Sequence, residues 1–156
     1  MRKTRRLPLF ILSLFVVLSC SRSEENAAPL EVDFHWNPPC TDLFMSPEIR
    51  LGAIPEGTVS FYVTLIDLDL PAFDHGNGFA QYENQSILPA GAVRGSYAGP
   101  SPPHGVTHRY EIKVRALDKD RKVLAVGKKV LPYPPDGEEE VRWSPCGERE
   151  TKERHP

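Results

Sequence analysis

The chain reads as an all-β domain of the sandwich type, on three observations. With 16 prolines and 11 glycines in 156 residues, little room is left for helix outside the N-terminal leader. Stretches at 59–67, 108–116, 121–131 and 140–144 alternate apolar and polar side chains as strands do. Turns rich in Pro and Gly separate them, as expected of a strand-rich domain folded around one core.

In chain order, Arg2, Lys3, Arg5 and Arg6 come first, and an apolar run from Leu7 to Leu18 ends in Val17-Leu18-Ser19-Cys20. That order looks like a bacterial lipoprotein signal with its lipobox, and the run is too short for a permanent span. Residues 1–19 are expected to be removed and Cys20 to carry lipid, so that the protein is anchored to a membrane of the cell envelope without spanning it. An ordinary secretory leader with an incidental cysteine is the competing reading. Ser21 is compatible with outer-membrane delivery, by likeness to lipoproteins so sorted. Residues 20–29 read as a lipidated tether whose polar SRSEENAAP is a flexible spacer. The domain is expected over 30–147, and ERETKERHP at 148–156 is a disordered charged tail.

Four of the 19 basic residues and none of the 21 acidic ones lie in the leader, which leaves 15 basic against 21 acidic and a formal charge of −6. Such a balance argues against nucleic acid as a partner. Beyond Cys20, Cys40 and Cys146 form an even pair in an oxidising compartment and are expected to bond. Closing a loop of roughly 100 residues would contribute about 4–5 kcal/mol on the chain-entropy argument. Two separate thiols are the alternative. Neither cysteine has a CxxC neighbour, so a zinc site is not expected.

In the first long strand Val59, Phe61, Val63 and Leu65 share one face, and Asp67 and Asp69 continue the same parity. The second sets His108, Tyr110, Ile112, Val114 and Ala116 against Arg109, Glu111, Lys113 and Arg115, a buried face against a charged, wet one. His108 and Tyr110 thus start a core-facing row, where a polar group needs a partner, a water or a ligand. Alone, His108 reads as a satisfied structural histidine, and the Asp-x-Asp pair as the start of a solvated turn. Converging, they would form one pocket. His104 and His108 have H-x3-H spacing, but Pro102, Pro103 and Gly105 place it on a loop, so no metal is expected there. No nucleophile elbow or cofactor loop appears, so neither an enzyme nor a cofactor is expected.

The order SPEIRLGAIPEGTVSFYV (46–63), DLDLP (67–71), then GPSPPHG and HRY (99–110) resembles the phosphatidylethanolamine-binding protein family, especially its small bacterial members. The resemblance covers about Cys40 to Asp118. It implies a β-sandwich-like domain with a small anion-accepting pocket near the sheet ends, built from Asp67, Asp69, Pro71, Pro102, Pro103, His108 and Tyr110. Family members usually carry a histidine followed by tryptophan in the strand after D-x-D-x-P; here GFAQYENQ puts Gln81 in that place. One protonatable group is then missing, and anion binding depends more on His108. The C-terminal helix common in the family is ruled out by Pro132, Pro134 and Pro135.

The expectation is a non-catalytic, lipid-anchored envelope protein that binds an anionic or phosphorylated ligand or a phospholipid headgroup. The alternative function is an envelope interaction or structural β-sandwich module with a vestigial pocket, and the competing fold is a fibronectin-like or immunoglobulin-like sandwich, which leaves the GPSPPHG loop and the D-x-D-x-P turn unexplained. Replacing Cys20→Ser should abolish labelled-palmitate incorporation into the full-length chain and release it from the membrane fraction, and continued labelling would refute the lipobox.

Overall fold

The computed structural model describes residues 24, 26–36 and 44–135. They form nine strands and no helix: β1 (Ala28–Pro29), β2 (Glu31–Phe34), β3 (Ile49–Gly52), β4 (Ser60–Asp67), β5 (Asp74–Gln81), β6 (Ile87–Leu88), β7 (Arg94–Gly95), β8 (His108–Leu117) and β9 (Val123–Tyr133). Six make one sheet in the order β1-β9-β8-β4-β5-β7, and three make a second in the order β2-β3-β6. The fold is all-β, with two facing sheets and no closed barrel. The strands expected at 59–67, 108–116 and 121–131 are present as β4, β8 and β9. That expected at 140–144, along with Cys20, Cys40, Cys146 and the tail, lies outside the described residues.

Alternation accounts for β4 and β8. Phe61, Val63, Leu65 and Asp67 are buried on one side, and so are Tyr110, Ile112, Val114 and Ala116 opposite them. Val59, expected in the same row, precedes the strand and is exposed, while Asp69 lies in the turn beyond it. From the smaller sheet Phe34, Ile49, Leu51 and Leu88 close over this surface to form one core. Strand β9 carries Pro132 opposite Arg109. A proline is tolerated there because, among the described residues, only Ala28 and Pro29 pair with the outer edge of β9, at Ala125 and Val126, so no strand there calls for a donor from Pro132.

Two expectations need correction. The charged side of β8 is not wet: Glu111 is buried against Lys128 at 2.9 Å, and Glu24 reaches across to Lys113 and Arg115. Nor is SRSEENAAP wholly a spacer, since Glu24 is held by those two cations and Ala28–Pro29 adds to the sheet parallel to β9. The reason is shared, because aligned cations on a sheet face attract a carboxylate from the adjoining chain.

From β1 the chain bends at Leu30, whose N–H donates to the Val126 carbonyl at 3.0 Å, and continues as β2 in the other sheet. This corner crosses directly over Gly127. A Cβ there would meet the Leu30 carbonyl oxygen at 2.1 Å and the Val32 side chain at 2.6 Å. Backbone cannot yield as a flexible side chain can. Gly127→Ala should therefore destabilise the domain by about 2 kcal/mol or more, a fall in melting temperature on the order of 10 °C, measured by circular dichroism.

Candidate functional site

Strand β4 ends in a carboxylate that faces the core, and three donors meet it. Asp67 Oδ1 accepts the backbone N–H groups of Asp69 and Leu70, each at 2.9 Å, and Oδ2 accepts His108 Nδ1–H at 2.7 Å. Antiparallel pairing of β4 with β8 sets Asp67 opposite Tyr110, and the ladder runs on from Leu68 N–H to the Arg109 carbonyl at 2.8 Å. Burial pushes the Asp67 pKa up, but the His108 hydrogen bond and the two backbone donors outweigh it, so the carboxyl lies below the usual carboxylate range.

Asp69 does a different job. It accepts the Arg109 backbone N–H at 2.6 Å and Arg109 Nη2–H at 2.7 Å, binding the turn to β8, and the Arg109 guanidinium holds its pKa down to about 2. Both carboxylates are thus committed to the protein itself. Neither remains to receive a ligand ammonium group.

Tyr110 is fully buried at the centre of the site, and burial followed by the Asp67 charge pushes its phenol up to about 12. Its oxygen accepts the Ser101 N–H at 3.3 Å, which fastens the proline-rich loop over it. That loop offers little else to an anion. Pro100, Pro102 and Pro103 have no N–H, and Ser101 has already spent its own on the phenol. These four residues therefore offer an anion no free backbone N–H.

A second imidazole fills the place where the sequence pointed to Gln81. His75, near the start of β5, is 2% exposed and edge-on to Tyr110 at 5.3 Å, while the His108 ring is roughly parallel to that of Tyr110 at 6.4 Å. His75 Nδ1 is 3.2 Å from the Ala98 carbonyl and 3.0 Å from that of Gly99. Carbonyls only accept, so the hydrogen is on Nδ1 and Nε2 is left over. Gln81 is exposed and pairs with Ser60, seven residues along β4 from Asp67, or roughly 23 Å. Its assignment to the pocket is corrected: a hairpin that leaves the site returns beside it, so the first residues of β5 are near Asp67 and the last are at the far end. Pro71 and Pro103 are exposed and Pro102 half-buried, shaping the two turns without contributing polar groups.

Sequence reasoning also missed Trp36, which sits edge-on to Tyr110 at 6.0 Å and to Tyr133 at 5.6 Å. Its indole N–H is buried with no hydrogen-bond partner among the described residues. Of Asp67, His75, Tyr110 and His108, the last is the most open to solvent, with 13% of its side chain exposed; Asp67 and His75 are 2% exposed and Tyr110 0%. No group of three or more metal-ligating side chains occurs among the described residues.

Because the folded-state pKa values of Asp67 and Asp69 are depressed, their contribution is complete above the ordinary carboxylate pKa of about 4 and is lost as pH falls through the folded values, about 2 for Asp69. The melting temperature of the wild type should exceed that of Asp67→Asn at pH 6, and the gap should close as pH falls across that window.

No protein-family model matches the chain. It is similar to the UPF0098 protein YbhB of Escherichia coli (strain K12), 32% identical over 101 residues, with 49% of this chain and 62% of that protein covered. The chain thus spans about three-fifths of that relative's length. Its fold is similar to that of E. coli YbcL, described as a member of the mammalian PEBP family, with a TM-score of 0.53 at 19% identity over 68% of this chain and 98% of that one. The putative phosphatidylethanolamine-binding protein homologue CT736 of Chlamydia trachomatis D/UW-3/CX gives 0.51 at 18% identity, over 69% and 98%. The ordered motifs at 67–71 and 99–110 thus lie on a fold similar to that of phosphatidylethanolamine-binding protein homologues, and the chain is similar in sequence to one UPF0098 protein.

Proposed function

We propose that this is a non-catalytic, lipid-anchored protein of the bacterial cell envelope that binds a small phosphorylated or otherwise anionic group between its two imidazoles. The observation that carries the reading is the pair His75 and His108, each with Nδ1–H donating to the protein and each ring in contact with that of Tyr110. An imidazole so held presents Nε2 as an acceptor when neutral and as a charge-assisted donor when protonated. A phosphoryl oxygen suits the protonated form. The ammonium end of a zwitterionic headgroup suits the neutral one. Anchoring at Cys20 would keep the site beside phospholipid headgroups, a ready source of both.

The complete burial of Tyr110 and Asp67 favours a second reading, in which the cluster is a closed structural seam and the domain recruits envelope proteins through its surface. Ligand binding separates the two. Inorganic phosphate and phosphoethanolamine, titrated calorimetrically into the protein at about pH 5.5 and pH 8, should bind weakly and more tightly at the lower pH. His108→Ala and His75→Ala should each weaken binding by about fivefold or more, the effect of losing one charged hydrogen bond. Gln81→His should change nothing, being at the far end of the sheet. Absence of heat at millimolar ligand at both pH values would leave the interaction module.

A further inference from the structure

On its outer face the six-stranded sheet carries a row of side chains in register across five strands: Arg94, Phe79, Tyr62, Arg115 and Val126. Residues directly opposite one another stand on one side of a sheet, so the row is continuous over about 19 Å. Arg115 lies over the Tyr62 ring at 5.5 Å, Arg121 lies over Phe79 at 5.8 Å, and the two rings are 4.9 Å apart. Leu117 and Val123 complete an open groove of about 490 Å³. In the next row Lys113 and Lys128 face each other.

Among the described residues, Asp74 on this face accepts the Gly76 N–H at 2.8 Å, and other carboxylates near it are paired with cations or bound to backbone. Glu111 pairs with Lys128, Glu24 with Lys113 and Arg115, and Asp120 with Lys119. Asp118 Oδ1 accepts the N–H groups of Asp120 and Lys122, each at 2.9 Å. Arg94 and Arg121 have no carboxylate partner among the described residues. In a chain that is acidic beyond its leader, this is a local concentration of positive charge. Arg121 holds it in a left-handed conformation, φ 62°, which glycine would adopt at no cost.

The tether meets the fold on this same face. Glu24 is bound to it four residues after Cys20, and four residues reach at most about 14 Å. A lipid on Cys20 would therefore hold the bilayer surface close to the row. Guanidinium and ammonium groups are drawn to headgroup phosphates, and aromatic rings settle at headgroup depth. A broad, basic, aromatic face next to the anchor is complementary to one partner, an anionic lipid surface.

We propose that the outer face around Arg94, Phe79, Tyr62, Arg115 and Arg121 is a docking surface for an anionic bilayer, on which the short tether lays the sheet. The proposal rests on the lipid-anchored reading above. Glu24 acts as a built-in competitor on it, since its carboxylate holds the Lys113 and Arg115 charges that headgroups would otherwise engage.

The unlipidated chain Ser21–Pro156, which contains every described residue, tests the face without the anchor. Mixed with vesicles of phosphatidylcholine alone or with an equal part of phosphatidylglycerol, it should sediment with the anionic vesicles and be released by about 1 M salt, where screening acts within roughly 3 Å. Arg94→Gln combined with Arg121→Gly should weaken binding about fivefold or more, with an unchanged or higher melting temperature because glycine relieves the backbone at 121. Glu24→Gln should strengthen it, and His108→Ala should leave it unaltered. Equal binding by wild type and the double variant, loss of binding with His108→Ala, or no binding at all would overturn the docking surface. Should the full-length chain take up palmitate while the unlipidated chain ignores anionic vesicles, the anchored reading stands and this surface falls; vesicle binding without palmitate uptake gives the reverse.

Discussion

The arrangement of the site depends on one carboxylate. Asp67 is the last residue of β4, faces inward by strand parity, and would be intolerable there without partners. Its two oxygens solve three problems together: they turn the chain at Asp69 and Leu70, hold the first residue of β8 level with the strand end, and fix the hydrogen of His108 on Nδ1. Strand, turn and tautomer are consequences of the same buried charge. The neighbouring Asp69 then clamps the turn to Arg109 from outside, so the inner and outer carboxylates divide orientation and attachment between them.

What remains for a ligand follows by subtraction. Prolines remove the N–H donor at three positions of the overlying loop, Ser101 gives its own to Tyr110, and both aspartates are held by the protein. Among the described residues, the imidazole Nε2 atoms and the indole N–H of Trp36 are left over, while the Tyr110 phenol is hydrogen-bonded to Asp67. This set differs from a backbone nest, because its charge depends on protonation and its geometry on ring packing.

The parts of the fold legible in the sequence were those with clean alternation. β4 and β8 announce themselves through Phe61, Val63, Leu65 and through Tyr110, Ile112, Val114, and their shared parity brings Asp67, His108 and Tyr110 together. β5 does not, since Asp-His-Gly-Asn-Gly-Phe-Ala-Gln has two glycines, little apolar content and a register irregularity opposite Thr64 and Ile66. Motif matching therefore slid along it and stopped at Gln81 instead of His75. Hairpin geometry would have given the answer, because a strand following a tight turn begins where the previous one ended. The charged face of β8 misled for another reason: no local pattern tells that Glu24, far away in sequence, will cover Lys113 and Arg115.

The bend at Leu30 has a mechanical side. Tension applied to the chain before Glu24 does not reach the core directly. It loads the Glu24 ion pairs first, then the two-residue ladder of β1 on β9, and only then the buried corner where Leu30 crosses Gly127. Because β1 runs parallel to β9, a pull along the strand shears these bonds together, whereas a pull away from the sheet peels them one at a time. The direction of a pull on the chain at Glu24 thus sets how much force this corner can bear.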